Sequence, residues 1–63
     1  MREDLIEVEI IFINGKPTSE ILYIKNENYE QINDKRFIAT YSNESGLNEK
    51  LINTENIRSI SKL

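Results

Sequence analysis

Residues 5–13 read LIEVEIIFI and are followed at once by Asn14 and Gly15. Successive side chains of an extended strand point to opposite faces of a sheet. One face of a strand here would carry Ile6, Val8, Ile10 and Phe12. The other face would begin with Glu7 and Glu9 and continue with Ile11 and Ile13. This alternation predicts a β-strand whose even-numbered face lies in the core.

A second strand is predicted at residues 21–24, which read ILYI, after the turn-forming residues 14–18. An Asn-Gly pair between two apolar runs is typical of a β-hairpin. The register that keeps like faces together has four pairs: Val8 with Ile24, Ile10 with Leu22, Ile11 with Ile21, and Glu7 with Lys25. The last of these would be an exposed ion pair across the two strands.

The rest of the chain contains the signals of three further strands. Residues 26–36 are mostly polar and predict a loop or a frayed strand end in which Tyr29 and Ile32 are apolar anchors. Alternation predicts a third strand at residues 36–42 and a short fourth strand at 50–53, separated by turn-forming residues. Apolar residues then recur at every third position, at Ile57, Ile60 and Leu63. This is the spacing of a 3₁₀ turn, so we predict one such turn leading into a fifth strand.

A helix over residues 45–58 is the competing interpretation of the same region. Ser45 would cap it, and Leu47 and Leu51 have helical spacing. Gly46 and several asparagines lower the helix propensity, so the strand and the 3₁₀ turn are favoured. The helix would make the fold α+β, with a C-terminal helix.

The order of these elements resembles that of the SH3-like and Sm-like small barrels. It comprises a long hairpin, a middle strand, a short hairpin, a single 3₁₀ turn and a closing strand, and it covers nearly the whole chain. The resemblance implies an all-β fold, namely a five-stranded SH3-like barrel or half-barrel. Neither an Sm-type RNA-binding motif nor the aromatic groove of signalling SH3 domains is evident in the sequence.

Size and composition restrict the possible functions. A chain of 63 residues forms one domain and buries only about 60% of the surface that it exposes when unfolded. There is no cysteine and no histidine, so disulfides, thiolate nucleophiles and the usual neutral-pH base are excluded. We therefore expect a protein that is not an enzyme and uses no cofactor or metal. The sequence shows no signal peptide and no apolar run long enough for a membrane span, which predicts a cytoplasmic protein.

The outward face of the first hairpin provides the best functional candidate. Its apolar members are Ile11, Ile13 and Ile21, with Tyr23 beside them. An exposed apolar patch of this kind indicates an interface with a protein partner or with a second copy of the chain. Alternatively, a strongly bent strand could carry these residues into the core of a closed barrel. Both interpretations remain open from the sequence.

Carboxylates flank this candidate patch. They are Glu3, Asp4, Glu7 and Glu9. Glu7 and Glu9 are two residues apart on one face, but a solvated strand face explains them better than catalysis or metal binding does. Beside an apolar centre, such a strip is expected to steer basic partners.

Nucleic-acid binding is the alternative function. Lys35, Arg36 and Tyr41 place two cations and one aromatic ring on or beside the third strand, which is the minimum for stacking a base near a phosphate. Against this, the basic residues are scattered and the net charge is -3.

The predicted function is therefore that of a protein-binding module that binds a partner or self-associates. The composition, acidic and rich in Ile and Asn, resembles that of small proteins from phages or other mobile elements, some of which bind and inhibit host proteins.

Overall fold

The computed structural model describes residues 4–15 and 18–63. Within them, five strands form one antiparallel sheet with the order β4-β3-β2-β1-β5. The strands are β1 (Leu5–Phe12), β2 (Ser19–Lys25), β3 (Phe37–Tyr41), β4 (Lys50–Asn53) and β5 (Ile57–Lys62). A short helix, α1 (Asn26–Glu30), follows β2, and 3₁₀ turns occupy Ile32–Asp34 and Thr54–Asn56. The all-β prediction is confirmed, with a 3₁₀ turn directly before the last strand.

The core lies on the even-numbered face of β1, as predicted. Its buried cluster consists of Val8, Ile10, Ile24, Ile38 and Ile52. Tyr29 and Ile32 pack against this cluster, which confirms their role as apolar anchors. A groove of about 210 Å³ is lined by Phe12 and Leu51 together with other residues. The first of these residues belongs to β1 and the second to the sheet edge at β4, so the sheet curves back on itself.

The predicted register of the first hairpin is wrong by two residues. Ile6 lies opposite Ile24 and Val8 opposite Leu22, because the connecting loop begins at Ile13 rather than at Asn14. The amide of Phe12 donates to the carbonyl of Thr18 at 2.8 Å and closes this loop. A shift by an even number leaves every side chain on its predicted face.

The residues between β2 and β3 were predicted to be a loop, but they form α1 and a 3₁₀ turn. Two contacts hold the helix in place. The amide of Asn26 donates to the carbonyl of Asp4 at 2.9 Å, and the Asn26 side chain donates to Glu30 Oε1, also at 2.9 Å. A side-chain pair four residues apart is what one turn of a helix brings together.

The competing helix at residues 45–58 is wrong, since the segment contains β4 and the second 3₁₀ turn. The Asn53 side chain caps that turn by accepting from the amide of Glu55 at 2.9 Å. The spacing of Ile57 and Ile60 has another origin, a β-bulge. Ile57 lies opposite Phe12 and Ser59 opposite Ile11, so Arg58 is the extra residue. The bulge turns both isoleucines towards the core.

Candidate protein-binding surface

The outward face of β1 and β2 carries the predicted interface residues. We call this face the hairpin surface and define it by Glu7, Glu9, Ile11, Ile13, Ile21 and Tyr23. Strand pairing puts Glu9 directly opposite Ile21 and Glu7 directly opposite Tyr23. Ile11 lies opposite Ser19 and is therefore a diagonal neighbour of Ile21. The structure thus puts five of the six residues on one face of the hairpin: Glu7, Glu9, Ile11, Ile21 and Tyr23. Ile13 follows in the connecting loop.

The three isoleucines of the hairpin surface are exposed. The exposed fraction is 38% for Ile11 and 56% for both Ile13 and Ile21. The interpretation that a bent strand buries them in a barrel core is therefore wrong. Both strands next to β1 place a small serine opposite Ile11, Ser19 on one side and Ser59 on the other. Such short side chains leave the isoleucine uncovered.

The position of Ile13 is set by the loop after β1 and not by strand pairing. It follows the last residue of β1, and its amide donates to the carbonyl of Asn56 at 2.9 Å. This bond anchors the backbone of Ile13 to the end of the second 3₁₀ turn, while the side chain stays exposed. The apolar part of the hairpin surface therefore extends from the strands into the first residue of the loop.

The acidic part of the surface is organised around Tyr23. Its hydroxyl donates to Glu7 Oε2 at 3.3 Å, so the predicted pair of Glu7 with Lys25 is wrong and Lys25 lies opposite Leu5 instead. Partial burial, the charge of Glu7, the hydrogen bond to it and the charge of Glu44 together raise the pKa of Tyr23 above its ordinary value of 10.0. Glu44 comes from the loop between β3 and β4 and adds a third carboxylate, one that the sequence did not indicate.

The other two members of the predicted acidic strip have separate positions. Asp4 is exposed, and its backbone carbonyl accepts the amide of Asn26. Glu3 lies outside the described residues. The acidic flank of the hairpin surface therefore consists of Glu7 and Glu9, with the charge of Glu44 also acting on Tyr23.

The residues of the nucleic-acid alternative are Lys35, Arg36 and Tyr41. Arg36 is exposed and Lys35 half-buried, but Tyr41 keeps only 4% of its surface exposed. The Tyr41 hydroxyl donates to Glu49 Oε1 at 2.8 Å. A base could stack on this ring only after the ring had moved, since neither of its faces is open.

Sequence reasoning missed a second exposed apolar pair. Phe37 and Leu51 keep 52% and 67% of their surface exposed. Leu51 lies opposite Ala39, so the two residues are diagonal neighbours on the outward face of β3 and β4. Apolar residues occur at both parities in residues 36–42, and for this reason the alternation did not identify the inward face of β3.

The described residues contain neither a candidate metal site nor a helix that could span a membrane. No group of three or more acidic, histidine or cysteine side chains in residues 4–15 and 18–63 is placed to hold a metal ion. No helix in that part of the chain is long and apolar enough to span a membrane.

Comparison of the chain with protein-family models, curated proteins and solved structures finds no match. The resemblance to SH3-like and Sm-like barrels therefore stays a prediction from the order of the strands.

Proposed function

We propose that this chain is a non-enzymatic protein-binding module and that the hairpin surface is its binding site. The observation that carries the proposal is that Ile11 and Ile21 are exposed diagonal neighbours on one face of the hairpin, with the exposed Ile13 directly after β1. Burying exposed apolar area yields about 25 cal/mol for each Å², which makes such a patch the natural centre of an interface.

The strand pairing that holds the hairpin surface supports the same proposal. β1 pairs with β2 through seven residue pairs and with β5 along its other edge. It is therefore a central strand, and the inward side of the same strand is fixed by the core. A surface that is ordered before binding loses little conformational entropy when a partner docks.

The charge of the hairpin surface indicates the class of partner. Glu7 and Glu9 supply two carboxylates, and the charge of Glu44 also acts on Tyr23. No cation of the described residues forms an ion pair with Glu7 or Glu9. A symmetric dimer centred here would bring the carboxylates of both copies together, which is unfavourable. A partner with apolar and basic side chains fits this surface better than a second copy does.

The test compares Ile21→Glu with Leu51→Glu, because both residues are exposed and apolar and lie on strands. Proteins captured from a source lysate by the wild-type chain are purified, and their Kd values for each variant are measured at several salt concentrations. We expect Ile21→Glu to cost about 2 kcal/mol or more, roughly thirtyfold in Kd, as at an interface hot spot. Leu51→Glu should bind like the wild type.

Three results would contradict the proposal. The first is a partner that binds Ile21→Glu and the wild type equally well, and the second is a partner that is lost only in Leu51→Glu. The third is a chain that recovers no protein and sediments as a monomer at micromolar concentration. If the chain forms a dimer and Ile21→Glu dissociates it, the hairpin surface is confirmed as the binding site, but the proposal of a basic partner is wrong.

A further inference from the structure

The loop after β1 exposes two successive residues, Asn14 and Gly15. Both are exposed, and Gly15 has a φ of 111°. A β-carbon built on Gly15 would meet no atom of the described residues within 4 Å, so these residues leave the space beside its backbone open. Among the described residues, no hydrogen bond restrains the side-chain amide of Asn14.

The other asparagines are restrained or shielded. The chain has eight of them, and four others use the side-chain amide in a hydrogen bond: Asn26, Asn43, Asn48 and Asn53. The remaining three are followed by Tyr29, Asp34 and Ile57, whose side chains crowd the backbone nitrogen that follows each asparagine. Only Asn14 precedes a glycine, which has no β-carbon to block a close approach.

We propose that Asn14 is a site of spontaneous deamidation. The backbone nitrogen of Gly15 attacks the side-chain carbonyl carbon of Asn14 and loses its proton as the new C–N bond forms. The bond from that carbon to Nδ2 breaks, and ammonia leaves a five-membered succinimide. Water then opens one of the two ring carbonyls and produces either aspartate or isoaspartate. Water is the one co-reactant, and no electrons are transferred.

The product changes the charge beside the hairpin surface. Asn14 directly follows Ile13, so either product adds a carboxylate at the apolar end of that surface, away from Glu7. The effect on binding depends on the proposed function, because it requires that the hairpin surface meets a basic partner. The reaction itself does not depend on that function.

The experiment follows the full-length folded chain in mildly alkaline buffer by intact mass and peptide mapping. We expect the mass to rise by the difference between OH and NH₂, with the change confined to the peptide that contains Asn14. In water enriched in ¹⁸O the new oxygen should carry the label. Asn14→Gln is the control, and it should stay unmodified over the same period because its longer side chain closes a larger ring.

Two results would overturn the modification site. One is a folded chain that keeps Asn14 intact while a synthetic peptide of residues 11–18 converts under the same conditions. The other is a first conversion at any of the seven other asparagines.

A separate measurement tests the link to binding. A synthetic peptide of alternating Lys and Ile is titrated at low salt against Asn14→Asp, which imitates the product, and against Asn14→Gln. Tighter binding of Asn14→Asp supports the link, and equal binding rejects it. If neither variant binds the peptide while the mass change occurs, the basic partner is rejected and the modification site stands.

Discussion

Ile10 and Ile11 are chemically identical neighbours on β1, yet they belong to different surfaces. Ile10 is fully buried and lies opposite Ile60, which packs against the core. Ile11 keeps 38% of its surface exposed between two serines. Strand parity decides this difference, since neighbouring side chains leave the backbone on opposite sides. An apolar residue in this strand can therefore be assigned to the core only when it is known which face of the sheet its side chain lies on.

The two faces of β1 also differ in what covers them. The inward face packs under residues from every other strand and from the segment between β2 and β3. The outward face changes from Glu7 and Glu9 to Ile11 along its length, and Ile11 at its apolar end keeps 38% of its surface exposed. Stability thus depends on one face of the strand, and the proposed binding depends on the other.

Truncating one isoleucine to alanine on each face of β1 should give the largest difference in the free energy of unfolding. We expect Ile10→Ala to destabilise the protein by about 2–5 kcal/mol, because it leaves a cavity in the buried cluster. A natural domain has only about 5–15 kcal/mol of stability in total. Ile11→Ala should cost about 1 kcal/mol or less. Urea unfolding followed by circular dichroism measures both, and equal losses would mean that the two faces are not distinct.

A smaller loss of stability is expected when the hydrogen bonds of Thr54 are removed. The Thr54 hydroxyl donates to the backbone carbonyl of Lys35 at 2.7 Å. The backbone amide of Thr54 donates to the backbone carbonyl of Arg36 at 2.9 Å. These bonds tie the second 3₁₀ turn to the start of β3. Thr54→Val keeps the shape but leaves the Lys35 carbonyl without its donor, at a cost of about 1 kcal/mol.

Thr54→Ser is the matched control for this substitution because it keeps the hydroxyl. In urea unfolding it should retain most of the stability that Thr54→Val loses. A serine variant as unstable as the valine variant would show that the methyl group, and not the hydrogen bond, matters here.

The sequence predicted those parts of the fold that depend on local pattern. The bounds of β4 and the inward face of β1 follow from alternation and flanking turn residues, and both are confirmed. The register of the first hairpin and the bulge at Arg58 were missed, because each depends on how two distant segments meet. The helix α1 was missed for the same reason, since a bond from Asn26 to the backbone of Asp4 helps to fix it.

The candidate surface was only partly predictable. The sequence indicated which residues share the outward face of β1 and β2, but not whether Ile11 and Ile13 enter the core. For Ile11 the answer depended on the side chains that the neighbouring strands place opposite it, here the two serines. For Ile13 it depended on where the strand ends and the loop begins. The sequence also did not predict that the charge of Glu44 acts on Tyr23, because Glu44 belongs to a loop that is distant from Tyr23 in the sequence.

The smallest expected effect is a shift in the pKa of Tyr23, which lies at the acidic end of the outward face. The raised pKa of Tyr23 means that the folded chain holds the phenol proton more tightly than the unfolded chain. This contribution to stability is complete below pH 10 and is lost as the pH rises through the raised value. Glu7→Gln should lower the pKa of Tyr23, because it removes a nearby negative charge. Titration of tyrosinate absorbance, with Tyr23→Phe to assign the signal, measures this shift. Glu55→Gln is the control, and an equal shift in that variant would show that Glu7 acts only through net charge.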